Sequence, residues 1–146
     1  MPPIRNSPNE VIQYLSIEQV LATHTALIKR YGGSEAIRDR GLLKSAVFRP
    51  QASAFGQDAY PTLFEKCTVL GYSLIQNHPF VDGNKRTGFA AMHLMLLING
   101  YDLTSTTQEE IDMAENIASG KMHESEITEW LKQHSKKITP NDNSLT

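Results

Sequence analysis

Residues 78–99 of this 146-residue chain read HPFVDGNKRTGFAAMHLMLLIN, and this stretch decides the fold. Its first ten residues carry most of the charged and polar side chains, whereas the remainder is almost entirely apolar. The apolar residues cover nearly every direction around a helical axis, which is typical of a helix surrounded by other elements. The sequence therefore predicts a buried central helix from Asn84 to Asn99, with its charged first turn as the end that reaches solvent.

Helical periodicity predicts the elements around this central helix. Ser16 and Gln19 form a capping box at the start of an amphipathic helix that ends at Gly32-Gly33. Further helices are predicted over residues 41–48, closed by Arg49-Pro50; over 61–77, with Pro61 in first position; over 107–119, with a capping box from Thr107; and from Ser125 onward. Residues 51–60 follow neither the helical nor the strand period, which favours a flap or small hairpin. The predicted fold class is all-α, a compact single-domain helical bundle.

Length and composition are those of one globular domain. Hydrophobic residues make up 40% of the chain and charged residues 21%, and the net charge of -2 argues against a broad basic surface for nucleic acid. The longest apolar run is shorter than the roughly 20 residues that a bilayer requires, so no membrane association is expected. The single cysteine, Cys67, and the lack of a charged-then-apolar leader predict a cytoplasmic protein. We expect a domain over residues 1–135 and a polar, disordered tail over residues 136–146.

Two residues of the motif have the chemistry of acid–base and metal sites. His78 follows the predicted helix 61–77, and imidazole is the side chain whose ordinary pKa best allows proton transfer near neutral pH, so His78 is a candidate general base. Its alternative role is to cap the end of that helix. Asp82 offers one carboxylate, and magnesium is typically held by one or two carboxylates together with substrate phosphates. Its alternative role is to cap the helix that starts at Asn84, and the two roles are compatible.

The next residues have the chemistry of a phosphate site. Gly83 permits the turn into the helix and leaves room for a phosphate, and the first amides of a helix attract anions. Asn84 is a candidate donor to a phosphate oxygen, while Lys85 and Arg86 supply two cations. Thr87 is left open between a cap and a minor phosphate contact. Phe80 is expected to fill the core, and the remaining histidines (His24, His93, His123 and His134) have no zinc-ligand spacing, so they are expected to be ordinary.

The decapeptide resembles the signature of the Fic/Doc family, His-x-Phe-x-Asp-Gly-Asn-Lys-Arg. Similarity to the death-on-curing branch of that family extends through residues 31–34, 41–45, 49–51 and 99–101, and it covers most of residues 14–131. The resemblance implies a compact helical toxin of a bacterial toxin–antitoxin pair. Larger Fic relatives transfer AMP from ATP and usually carry glycine where this chain has Lys85. The lysine variant implies instead a kinase that transfers the γ-phosphate of ATP to a threonine of translation elongation factor Tu.

Carried onto this chain, the resemblance implies that His78 is the base, that Asp82 holds Mg²⁺, and that the residues from Gly83 to Arg86 bind the phosphates of ATP. We find no inhibitory Ser/Thr-x-x-x-Glu-Gly/Asn motif, because the nearest candidate, Ser105 to Glu109, is followed by Glu110. Restraint is then expected from a separate protein. In the resembling systems it is a Phd-like antitoxin, a small dimeric DNA-binding protein whose disordered C-terminal segment folds into a groove on the toxin.

Two other functions stay open at this point. An adenylyltransferase would use the same motif to transfer AMP. A regulator without catalytic activity would use the anion site and the flap only to hold an antitoxin. Intact His78 and Asp82 argue against the second, since binding alone requires neither.

Overall fold

A computed structural model describes residues 11–138 of the chain. This part contains six α-helices, a short 3-10 helix at Arg49–Gln51 and two small sheets. The helices are α1 (Ile17–Tyr31), α2 (Arg40–Phe48), α3 (Leu63–Asn77), α4 (Asn84–Ile98), α5 (Thr107–Ala118) and α6 (Glu124–Gln133). The strands are β1 (Ser53–Ala54), β2 (Gln57–Asp58), β3 (Tyr101–Leu103) and β4 (Ser135–Lys137). The all-α class and the flap hairpin are confirmed.

Helix α4 is the central element, and it lies closest to α3. A Cβ atom added at Gly88 would lie 2.5 Å from Ile75 Cγ1 and 3.0 Å from the carbonyl oxygen of Gly71, so no side chain fits between the two helices there. A Cβ atom at Gly71 would in turn overlap the Met92 side chain. The two backbones therefore pack in direct contact, and this contact places the end of α3 beside the start of α4.

The core forms around one wide stripe of α4. Its fully buried residues follow helical spacing, namely Asn84, Thr87, Gly88, Ala91, Met92, Met95 and Leu96. Leu97 and Ile98 at the far end of α4 are more than one third exposed, so burial is less complete there than the apolar run suggests. Apolar side chains from α1, α2, α3, α5 and α6 complete the core. No helix within residues 11–138 is both long enough and apolar enough to cross a membrane.

The structure corrects the predicted starts of α3 and α6 and the predicted capping box of α5. Helix α3 begins at Leu63 and not at Pro61, because Thr62 Oγ1 accepts a hydrogen bond from the Glu65 amide at 3.2 Å and so caps the helix. The capping box of α5 uses Thr106 and Glu109, one residue before the predicted pair. Helix α6 begins at Glu124 and not at Ser125.

A second sheet, β3 with β4, was not predicted. The strands pair antiparallel, with Tyr101 opposite Lys137 and Leu103 opposite Ser135. Strands of three residues are too short for an alternating pattern to be distinguished, so the sequence does not reveal them. The ordered domain therefore includes Lys136 and Lys137, which the prediction assigned to the tail. Residues 1–10 of the predicted domain and 139–146 of the predicted tail lie outside the described residues.

Candidate active site

The loop between α3 and α4, residues 78–83, is the centre of the site, and we call it the motif loop. It lies against residues 32–39, which connect α1 to α2 and which we call the support segment. Ile37 and Phe80 form an antiparallel bridge between the two. The carbonyl oxygen of Pro79 accepts hydrogen bonds from two backbone amides of the support segment, at 2.7 and 3.0 Å. The motif loop is thus held by backbone pairing, although it belongs to neither sheet.

His78 ends α3 in a left-handed backbone conformation, with φ 49° and ψ 58°. This conformation is uncommon for a residue other than glycine, and such strain is often found at functional sites. The Arg38 guanidinium donates to the carbonyl oxygens of His78 and Asn77 at 2.6 and 2.7 Å, so Arg38 satisfies the end of the helix. The His78 residue is exposed, and its ring has no hydrogen-bond partner among the described residues. The imidazole is therefore free for the role of a base.

Asp82 is exposed and does not cap α4. Its Oδ2 accepts a hydrogen bond from the Ser34 amide at 2.7 Å, which ties the carboxylate to the support segment. Oδ1 has no hydrogen-bond partner among residues 11–138. The alternative role of Asp82 as the cap of α4 is thus wrong for this structure, and one oxygen remains for another ligand.

The N-terminus of α4 has no side-chain cap. Its N-cap residue is Gly83, with φ 81°, whereas side chains cap α1, α2, α3 and α5. A Cβ atom at Gly83 would lie 3.0 Å from Ile28 Cδ1, so both the backbone angle and the space favour glycine. The first amides of α4 are the groups that helices use to bind anions.

Asn84 is buried, and it shapes the motif loop. Its Oδ1 accepts from the Phe80 amide at 3.0 Å, and its Nδ2 donates to the Phe80 carbonyl oxygen at 2.9 Å. This pair of bonds closes the loop on itself. Nδ2 carries a second hydrogen, and the direct donation of this hydrogen to phosphate stays a prediction.

Lys85 and Arg86 are both exposed on the first turn of α4. The Lys85 ammonium pairs with the Glu115 carboxylate of α5. The Arg86 guanidinium lies over the Tyr31 ring, 4.2 Å from its centroid. Exposed contacts of this kind contribute little to stability, so a phosphate can replace them at small cost.

Thr87 does not cap α4, and its side chain does not reach the surface. The residue is completely buried, and its Oγ1 has no hydrogen-bond partner among the described residues. Its amide donates to the Gly83 carbonyl oxygen at 2.9 Å, as in a regular helix. The helical spacing turns this side chain into the core, away from the exposed first turn.

The sequence did not predict two buried polar residues beside the motif loop and the flap. His24, expected to be ordinary, is buried under the motif loop, where its ring stacks on Phe80. The available clue was its place in the apolar stripe of α1, because a polar residue on such a stripe requires a buried partner. Lys66 is also buried, and its Nζ lies 3.1 Å from Asp58 Oδ2 at the base of the flap.

The flap is a two-stranded hairpin that ends in an exposed turn. Ser53 pairs with Asp58 and Ala54 with Gln57. Phe55 and Gly56 form the turn with φ angles of 55° and 78°, and the Phe55 side chain is fully exposed. Two positive φ angles in sequence are the geometry that continues a twisted hairpin.

The charges and donors of the site fit a magnesium–nucleotide complex. No group of three or more metal-ligating side chains occurs in the described part of the chain. This part therefore lacks the set of ligands with which side chains alone hold a metal. Magnesium needs only one or two carboxylates when phosphates supply further oxygens, and Asp82 has an oxygen available. The uncapped amides of α4 and the side chains of Lys85 and Arg86 in the same turn are suited to bind the phosphates.

Comparison with known proteins identifies the family. The model of the Fic/DOC family matches residues 14–96, from before α1 to within α4. The chain is 47% identical over 105 residues to Toxin Doc of Mycolicibacterium smegmatis, which covers 72% of this chain and 77% of that protein. It is 29% identical over 122 residues to Protein kinase doc of Escherichia phage P1, which covers 84% of this chain and 95% of that protein. The chain belongs to the Fic/DOC family.

Proposed function

We propose that this protein is the toxin of a bacterial toxin–antitoxin pair and that it acts as a protein kinase. It transfers the γ-phosphate of ATP to a threonine or serine hydroxyl of a protein target, for which we propose translation elongation factor Tu. The observation that carries this proposal is the free imidazole of His78, whose backbone is held in a strained conformation. His78 begins the six-residue motif loop, and this loop leads into the uncapped start of α4.

The proposed chemistry assigns one role to each residue. His78 removes the proton from the target hydroxyl, whose oxygen attacks the γ-phosphorus. The bond between that phosphorus and the oxygen bridging to the β-phosphate breaks, and ADP leaves. The amides at the start of α4, with Lys85 and Arg86, stabilise the charge on the phosphates. Asp82 would hold Mg²⁺, which supplies further neutralisation of that charge.

The relatives support this proposal through their names. One is named a toxin and the other a protein kinase, and both align with this chain over most of its length. A toxin of this kind works in the cytoplasm, where ATP and the translation machinery are found. Its proposed partner is a Phd-like antitoxin whose disordered C-terminal segment folds onto the toxin.

Lys85 is the residue that favours a kinase over an adenylyltransferase. It occupies the second position of α4, and its side chain extends to Glu115 on α5. A glycine at this position would leave room for a phosphate beside the first turn of α4. We infer that the lysine stem obstructs this room and that the nucleotide therefore binds with its γ-phosphate toward the target.

The test is an incubation of the purified protein with magnesium-ATP, labelled on the γ or the α phosphate, in a bacterial lysate. The control is His78→Asn, because asparagine tolerates the left-handed backbone better than alanine does. We expect γ label on one main protein and loss of this label by roughly 10²- to 10⁴-fold with the control. Label from the α-phosphate would assign an adenylyltransferase. Equal labelling by a folded His78→Asn protein would overturn the role of His78.

A further inference from the structure

His24 lies in α1, yet it contacts three residues of the motif. It is 1% exposed, and its ring stacks on Phe80 with centroids 3.7 Å apart and 8° between the planes. Its Nε2 lies 2.8 Å from the carbonyl oxygen of Asp82. Its Cδ2 would be 3.5 Å from a Cβ atom at Gly83. The imidazole thus lies directly behind the backbone that joins Asp82 to Gly83.

The hydrogen bond determines which ring nitrogen carries the proton. A backbone carbonyl oxygen only accepts, so Nε2 of His24 must donate. The bond is partly buried, because its donor His24 and the stacked Phe80 are almost fully buried whereas Asp82 is exposed. A bond whose donor is fixed in the core holds the Asp82 carbonyl group in one direction.

The direction of this carbonyl group sets the direction of the next amide. All peptide bonds of the described residues are trans, and the C=O and N–H groups of a trans peptide point in opposite directions. Because the Asp82 carbonyl points toward His24, the Gly83 N–H points away from α1. This amide has no acceptor within residues 11–138, and it precedes the uncapped amides of α4. Successive amides of this kind form a concave site for an anion.

We propose that His24 is a positioning residue of the nucleotide site: it turns the Asp82–Gly83 peptide so that the Gly83 amide faces the phosphates. This inference rests on the function proposed above and extends it to a residue outside the motif. The ring stacking holds Phe80, while the Nε2 donor holds the peptide plane. The two contributions can be separated by substitution.

The experiment compares three variants of the full chain. His24→Phe keeps an aromatic ring but removes the donor, and His24→Gln keeps a donor near the position of Nε2 but removes the ring. His93→Phe is the matched control, since His93 lies in the second half of α4, pairs with Asp102 of β3 and lies outside the motif. Two properties are measured: affinity for magnesium with a non-hydrolysable ATP analogue, and binding to the antitoxin, which reports an intact surface.

We expect His24→Phe to bind the analogue about 10- to 100-fold more weakly, while it binds the antitoxin as the wild type does. His24→Gln should retain most of the nucleotide affinity, and His93→Phe should retain all of it. A folded His24→Phe protein with wild-type nucleotide affinity would overturn the role of His24 and leave the proposed kinase untouched. Failure of the wild type itself to bind the analogue would instead overturn the proposed function.

A second measurement covers the case in which His24→Phe does not fold. In the amide NMR spectrum of the wild type, the Gly83 resonance should shift strongly when the magnesium–analogue complex is added. The Gly56 resonance in the flap turn is the internal reference. A Gly83 resonance that stays unchanged at saturating analogue would contradict the proposed direction of this amide.

Discussion

The two ends of the motif loop both have left-handed backbone conformations. His78 closes α3 at φ 49°, and Gly83 opens α4 at φ 81°. Between them the chain reverses within six residues, so that the imidazole and the first amides of α4 lie at the two ends of one short loop. The glycine at residue 83 is predictable from the sequence, because a turn that leads into a helix often needs a residue without a side chain. The left-handed conformation of His78 is not predictable, because the contact made there comes from Arg38, which lies far away in the sequence.

Gly83→Ala should destabilise the protein more than the same change at Gly56. Both glycines have φ near 80°, and alanine in that conformation costs about 1–2 kcal/mol. At Gly83 the added Cβ would also lie 3.0 Å from Ile28 Cδ1, whereas at Gly56 nothing lies within 4 Å. Urea unfolding of the two variants measures the difference, which we expect to be about 1 kcal/mol or more. Equal losses would show that the packing against α1 contributes nothing.

Lys85→Ala should lose γ-phosphate transfer without loss of stability. The pair of Lys85 with Glu115 is exposed on both sides, so its removal should change the free energy of unfolding by less than about 1 kcal/mol. Glu115→Gln removes the same pair but keeps the cation, and it is therefore the control. Transfer rates from γ-labelled ATP check this prediction. If both variants transfer phosphate as fast as the wild type, Lys85 has no role in the site.

At the scale of elements, the contact between α3 and α4 positions the site. Gly71 and Gly88 let the two backbones touch, and their neighbours Ile75 and Met92 fill the space on either side. Both helices are predictable from their apolar spacing. The close contact is not, because a glycine inside a helix pattern can also be a weak point without a packing role.

Gly88→Ala should therefore lower stability by roughly 1–3 kcal/mol, since an added methyl group would force the two helices apart. Gly41→Ala is the control, because Gly41 also lies in a helix and its added Cβ would meet only the Asp39 side chain, at 3.3 Å. The control should change stability by less than about 1 kcal/mol. Thermal unfolding of both variants tests this prediction, and a stable Gly88→Ala protein would contradict the close packing described here.

The pairing of His93 with Asp102 links α4 to β3, and it should make stability depend on pH. The hydrogen bond from His93 lowers the pKa of Asp102 below its ordinary value. Partial burial acts in the opposite direction, and the hydrogen bond from the Leu103 amide lowers the pKa further. A carboxylate with a lowered folded-state pKa stabilises the fold above its unfolded-state pKa, and this stabilisation disappears as the pH falls through the folded-state pKa.

The variant Asp102→Asn should accordingly be less stable than the wild type by about 0.5–1 kcal/mol at about pH 7, and this difference should shrink below about pH 4. Asp112→Asn on the exposed side of α5 is the control, with no comparable change expected. Urea unfolding at the two pH values measures the effect. A difference that stays constant into acid would contradict a stabilising Asp102 carboxylate with a lowered pKa.

The sequence identifies the elements better than their contacts. The capping box at Ser16, the stop at Gly32 and the apolar stripe of α3 all predict what is observed, because each depends on neighbouring residues. The pairing of β3 with β4 and the stacking of His24 on Phe80 depend on residues more than thirty positions apart. Neighbouring residues in the sequence therefore do not predict these two contacts. The same limit applies to Asp82, whose carboxylate binds the support segment instead of capping α4.

In the whole molecule, the packed helices hold the motif loop at the surface. Helix α4 is anchored in the core, and only its first turn presents cations to solvent. The flap, with Phe55 fully exposed, is a second exposed element of the chain, and its base is tied to α3 through Lys66. We therefore expect stability to depend mainly on the core and the proposed chemistry to depend on the motif loop. Substitutions of its exposed side chains His78 and Asp82 are expected to abolish the proposed activity while the protein stays folded.

The chemical identity of the transferred group distinguishes a kinase from an adenylyltransferase. Purified elongation factor Tu is incubated with this protein and magnesium-ATP, and the mass added to the modified peptide is measured. We expect the mass of one phosphoryl group on a threonine or serine, and no addition with His78→Asn. The mass of AMP on that peptide, or a phosphoryl group added equally by His78→Asn, would contradict the proposed kinase mechanism.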